Sequence, residues 1–158
     1  MSDKIKVISA ARGRCIINNR DLGIKRVWQS RGDAVFFTKE QIEALMYDPA
    51  FSNMINEGYL YIDDMEVKKE IGVEPEEATT PTLILMDEKH LKRFWKDMPL
   101  GQFKVEIKNL TKQQITSLAD YAIEHGDEGS IEKANYLSTI SDRNILKGIE
   151  LNRQSKEA

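Results

Sequence analysis

Two stretches of this chain open a helix in the same way, and they constrain its fold more than anything else in the sequence. They are Phe37-Thr38-Lys39-Glu40-Gln41-Ile42 and Leu110-Thr111-Lys112-Gln113-Gln114-Ile115. In each, a threonine N-cap is placed to accept a hydrogen bond from a first-turn N–H, and a glutamine three residues on reaches back to the cap's own N–H. The apolar residues on either side, Phe37 with Ile42 and Leu110 with Ile115, close over the turn as a hydrophobic staple. The first helix continues with Ile42, Leu45 and Met46 on one face. The second runs over 112–125 with Ile115, Leu118, Ala119 and Ala122 inward. Two helix starts are thus fixed locally, and the remaining segments must pack against their apolar faces.

Before the first helix the sequence reads as strands. Ile5 to Ile8 alternates weakly, as an edge strand or an ordered arm. Arg14 to Ile17 is a strand closed by the turn-forming run Asn18-Asn19-Arg20-Asp21, and Ile24 to Gln29 returns. Ser30 to Asp33 makes a turn, and Ala34 to Phe37 is a short strand feeding the helix. After the helix, Asp48-Pro49 stops one helix and starts another, with Pro49 at the first helical position and Gly58 as its terminator. Tyr59 to Ile62 has strand character, and Asp63 or Asp64 caps a short helix through Val67 and Ile71, ended by Gly72. Glu74 to Pro81, acidic with two prolines, reads as a linker.

The second half is mostly helical. Leu83 to Met86 fits strand or helix, and Asp87 to Lys96 puts Leu91, Phe94 and Trp95 on one helical face. Gln102 to Ile107 alternates as a strand with Phe103, Val105 and Ile107. Gly126 is placed to end helix 112–125, Ser130 caps the helix carrying Ile131, Ala134 and Leu137, and Asp142 caps the last helix. The expected fold is α+β, a small antiparallel sheet with packed helices followed by a mostly helical lobe. The expected domains are a sheet-helix lobe at 1–73, a linker at 74–82 and a helical lobe at 83–158.

A chain of 158 residues with 41% hydrophobic and 31% charged residues is long enough for a substantial core. No apolar run reaches membrane-spanning length, and the N-terminus lacks the apolar stretch of a signal peptide, so neither a membrane partner nor secretion by that route is expected. The single cysteine, Cys15, excludes an internal disulfide and fits a reducing compartment. The sequon at Asn109-Leu110-Thr111 then reads as a helix cap.

No motif points to catalysis or to a cofactor. His90, His125 and Cys15 are not at metal-ligand spacing, and there is no phosphate-binding glycine loop or nucleophile elbow around Ser130. Arg31-Gly32-Asp33 reads as a turn, and Asp63-Asp64-Met65-Glu66 as helix-capping residues rather than a cation loop. No enzyme activity, metal or cofactor is expected.

Charge is distributed unevenly. Residues 1–31 hold eight basic residues against Asp3 and Asp21, a net +6, and residues 57–88 hold ten acidic residues against Lys68 and Lys69, a net −8. This is either a pair of docking surfaces or two solvated faces. Arg12, Arg14, Arg20, Arg26 and Arg31, with Trp28 among them, are the candidate interface residues. Arginine and tryptophan are the residue types that anchor protein interfaces. They also hold phosphates and stack on bases, so a small nucleic-acid-associated regulator is the rival reading.

From Val27 to Asp64 the chain resembles small virion structural proteins of tailed bacteriophages. The pattern is Trp28, then Phe36-Phe37-Thr38, then Gln41-Ile42 with Leu45, Tyr47 and Pro49, then Gly58-Tyr59-Leu60 with Ile62 and Asp64. The resemblance implies a capsid or connector accessory component, located in the virion and made in the host cytoplasm. Its partners would be other virion proteins or further copies of itself, and no catalytic residue carries over.

Overall fold

The computed structural model describes residues 4–81 and 83–157, and the fold is α+β. The chain divides into two compact units at Asp87/Glu88. The segment 74–82, a linker by composition, therefore belongs to the first unit. There Glu74 is buried and accepts a hydrogen bond from the Leu83 N–H at 3.3 Å.

The first unit has five strands, β1 (Ile5–Ser9), β2 (Cys15–Asn19), β3 (Ile24–Trp28), β4 (Ala34–Phe37) and β5 (Leu60–Ile62). Three helices, α1 (Lys39–Leu45), α2 (Pro49–Glu57) and α3 (Met65–Glu70), complete it. β1 is the middle strand of an antiparallel sheet ordered β4-β1-β5, with Val7 opposite both Val35 and Ile62. Its placement as an edge strand or arm is thereby corrected. Ile5, Val7, Ile8 and Ser9 are all buried and only Lys6 is exposed, so both faces of the middle strand are largely covered. β2 and β3 form a separate two-stranded hairpin, register Cys15↔Trp28 to Asn19↔Ile24.

Both sheets and the helices share one core, which includes Ile17, Trp28, Phe37, Ile42, Leu45 and Phe51. Phe37 and Ile42, the staple pair, are fully buried in it. Thr38 Oγ1 accepts from Gln41 N–H at 3.1 Å, and Gln41 Oε1 accepts from Thr38 N–H at 2.9 Å, so the capping box is complete. Asp48 caps α2 ahead of Pro49, and Gly58 ends it in the left-handed region at φ 89°. Asp64, not Asp63, caps α3.

The second unit is helical: α4 (Glu88–Lys92), running on as a π-helical turn over Arg93–Asp97, then α5 (Leu100–Glu106) and α6 (Lys112–Glu124). It ends with α7 (Ile131–Ser141) and α8 (Ile145–Glu157). Gln102 to Ile107 is helix, correcting the strand expectation. Phe103 and Ile107, four apart, are buried, whereas Val105 between them is 66% exposed. The Thr111–Gln114 box forms as its twin does, at 3.1 and 3.0 Å. α6 ends at His125 and passes into a 3₁₀ turn over Gly126–Glu128, so Gly126 is not its left-handed terminator. Ser130 caps α7. Asp142 does not cap α8. It closes α7 at φ 56°, and Asn144 Oδ1 accepts from Lys147 N–H instead.

Each threonine cap satisfies a first-turn donor that the helix itself leaves without a partner. Thr38→Ala and Thr111→Ala are each expected to lower stability by about 1 kcal/mol. Urea titrations of the two variants against the parent check this, and a midpoint unchanged in both would remove the caps' role.

Candidate functional site

The five arginines and Trp28 do not form one cluster. Trp28 is 0% exposed. Its indole N–H donates to the Val7 carbonyl at 2.9 Å, and its ring stacks on Phe37 at 6.0 Å between centroids. It therefore neither anchors a partner nor stacks on a base, and its assignment as an interface residue is corrected. The cause is strand parity, which turns Cys15, Ile17, Ile24 and Trp28 of the hairpin to the core.

Arg26 is half-buried with its guanidinium 5.4 Å from the Phe37 ring centroid, and its Nη1 donates to the Lys25 carbonyl. Arg31 is half-buried as well, its Nε donating to the Ala10 carbonyl at 3.1 Å. Both belong to the scaffold. Arg31-Gly32-Asp33 is a turn in which Gly32 takes φ 90° and Asp33 accepts from the Gln29 and Ala34 N–H groups. Arg12 and Arg14 are exposed in the loop entering β2, and Arg20 is exposed in the hairpin turn at its other end. About 20 Å of chain separates Arg14 from Arg20, at about 3.3 Å per residue.

Between those ends lies one concave part of the first unit. β2 pairs with β3 alone among the described strands, so its other edge faces no strand. β3 likewise pairs with β2 alone, and its inner-face side chains Arg26 and Trp28 contact Phe37 of β4. On its inner face β2 touches α2 and the capping residue before it, at the two ends of the strand. Asn19 Nδ2 donates to Asp48 Oδ2 at 3.1 Å, and Cys15 Sγ sits 3.6 Å from Met54 Sδ. The result is a groove with a cavity at each end. One, about 270 Å³, is lined mainly by Cys15, Ile16, Met54 and Tyr59, with Arg14 and Glu57 at its rim. The other, about 510 Å³, lies between the turn 18–22 and Ala44 to Pro49.

Exposed apolar and aromatic side chains border these cavities. Ile16 is 42% exposed on the outer face of β2, and Leu22 is exposed in the turn. Tyr47, at the α1–α2 corner beside the larger cavity, is 91% exposed. Exposed aromatic side chains offer a large contact area with few rotors. Burial raises the pKa of the Cys15 thiol, which keeps it protonated and unreactive as a nucleophile.

Composition and charge do not point to Tyr47, Met54 or the open β2 edge. One signal was available: once Cys15 and Ile17 face the core, strand parity alone turns Ile16 outward. The two charged segments also interleave in space, because Arg14 shares its cavity with Glu57 and the Asp63 N–H donates to the Lys6 carbonyl. Among the described residues no group of His, Cys, Asp and Glu is placed to hold a metal ion, and no helix is long and apolar enough to cross a membrane. No family model, no curated protein and no solved structure matches the chain.

Proposed function

We propose that the chain is a non-enzymatic assembly protein that binds neighbouring protein chains, of the kind found as capsid or connector accessory components of tailed-bacteriophage virions. One observation carries this reading: an open strand edge bordered by two cavities and a bare tyrosine. The virion assignment rests on the sequence pattern from Trp28 to Asp64 and on no structural feature. The nucleic-acid reading loses support because Trp28 lies in the core and the exposed arginines stand at opposite ends of the hairpin.

Sizing of the purified chain alone, with tailed-phage particles and with duplex DNA distinguishes these readings. The expected result is co-migration with particles and no DNA complex at about 150 mM salt, where a few phosphate contacts on an acidic chain are weak. A lone monomer in every arm, or a DNA complex that persists at that salt, would overturn it.

A further inference from the structure

Resting on that assembly reading, we infer that the β2–α2 groove takes an extended acidic segment of a different protein, which adds as a strand to the open edge of β2. Edge strands present a row of unpaired N–H and C=O groups, and strand addition uses them for affinity while pockets for alternate side chains give specificity. Here both parts are present, an edge of five residues and a cavity at each of its ends.

Side-chain alternation then dictates what the added strand must look like. On the outer face it lies beside Arg14, Ile16 and Asn18 of β2, with Lys25 and Val27 of β3 in the next row and Arg20 in the turn. That face of the strands carries no carboxylate, so outward residues of the guest opposite Arg14 and near Arg20 and Lys25 are acidic, the cross-strand pairing that favours opposite charge. Beneath that face the guest meets Cys15, Met54 and Tyr59, where one cavity accepts an apolar side chain, and the carboxylates Asp21, Asp48 and Glu57 line the two cavities and repel an acidic one. The recognised pattern is therefore acidic and apolar in alternation.

A second copy pairing β2 on β2 is disfavoured. An antiparallel pair centred on Ile17 sets Arg14 opposite Arg20 of the other copy at both ends, and like charges directly opposite are destabilising. The basic ends thus reject self-pairing and admit an acidic partner, which is how charge confers specificity on an exposed edge.

The probe is a yeast-displayed library of random peptides of about nine residues, long enough to span β2 with flanks. Selected peptides are expected to alternate acidic with apolar residues and to shift the amide signals of Cys15–Asn19 in ¹H–¹⁵N spectra. Methylating every second backbone nitrogen of the best peptide, on the edge that meets β2, should weaken it on the order of tenfold or more, because the ladder bonds are lost. Arg14→Glu with Arg20→Glu, at two exposed positions outside the core, should weaken it similarly and admit lysine-bearing peptides instead. Selection of basic or unpatterned peptides, equal binding of the methylated form, or dimerisation of the chain through β2 would each overturn the assignment. If the library yields nothing while the chain still joins particles, the groove assignment fails and the assembly reading stands. A peptide seated in the groove of a chain that joins no assembly upholds the groove and removes the assembly reading.

Discussion

Replacing Gly129 by alanine is expected to unfold the second unit at temperatures where the parent is folded, at a cost of about 3 kcal/mol. Gly129 has φ −104°, a value any residue adopts, so the demand for glycine comes from space. A Cβ there would lie 2.1 Å from Trp95 Cε2 and 2.3 Å from Cζ2. The indole cannot yield as a flexible chain would. It is fully buried, and its N–H donates to the His125 carbonyl at 2.7 Å. Relieving the clash means shifting the ring off that carbonyl or moving the loop that leads into α7. Gly101 is the internal control: it sits in α5, and a Cβ added there would meet nothing within 4 Å. Gly101→Ala should therefore stabilise by up to about 1 kcal/mol through helix propensity. Each unit holds one of the chain's two tryptophans, so the two indole N–H resonances report the units separately. In Gly129→Ala the Trp95 resonance should lose its native position at a temperature where Trp28 keeps its own. An unchanged Trp95 melting profile would show that the close approach carries no weight.

The local grammar of the chain was legible from sequence and the tertiary choices were not. Capping is decided within four residues, which is why Thr38, Asp48, Thr111 and Ser130 cap where the sequence places them and one of the two candidates Asp63 and Asp64 caps α3. Phe103, Val105 and Ile107 misled because over five residues a period of 2 and a period of 3.6 both bring the first and last together. Only burial of Phe103 with Ile107, and exposure of Val105, separates the two. The position of β1 depends on which strands come to flank it, a non-local outcome that weak alternation from Ile5 to Ile8 does not encode. Trp28 looked like an anchor because composition clusters it with arginines, yet strand parity sends it inward while Arg14 and Arg20 stay at the surface. Beyond the outward parity of Ile16 the groove has no sequence signature: Cys15 and Met54 are 39 residues apart and meet only when α2 folds back against β2.

Lys133→Met is expected to destabilise the second unit by about 3 kcal/mol, although it substitutes an apolar chain of similar length at a buried site. Lys133 is 4% exposed, and its Nζ donates to the Phe94 and Trp95 carbonyls, each at 2.9 Å. Those carbonyls need it because of the π-helical turn. The Met98 N–H, which would serve Phe94 in a regular α-helix, donates instead to Arg93 at 2.8 Å. Pro99 stands where Trp95 would find its own donor and has no N–H to give. The lysine therefore replaces two backbone donors, and methionine would leave two buried acceptors unsatisfied, at about 1–3 kcal/mol each before the relief of desolvating a charge. That relief gives the prediction its sign in pH. Burial lowers the Lys133 pKa, against a smaller opposing pull from Asp97. Between the folded pKa and the unfolded value of 10.5 the unfolded chain binds more protons, so stability rises with pH. A neutral amine still has two N–H groups, one for each carbonyl. The gap between parent and Lys133→Met should therefore widen as pH rises above the lowered folded pKa toward the unfolded value of 10.5. Tyr121, whose pKa burial raises, titrates in both chains and cancels from the difference. Denaturant midpoints of the two proteins across that range decide the matter. A gap that is small at neutral pH, or that narrows as pH rises, would mean that the two carbonyls are served by something other than this amine.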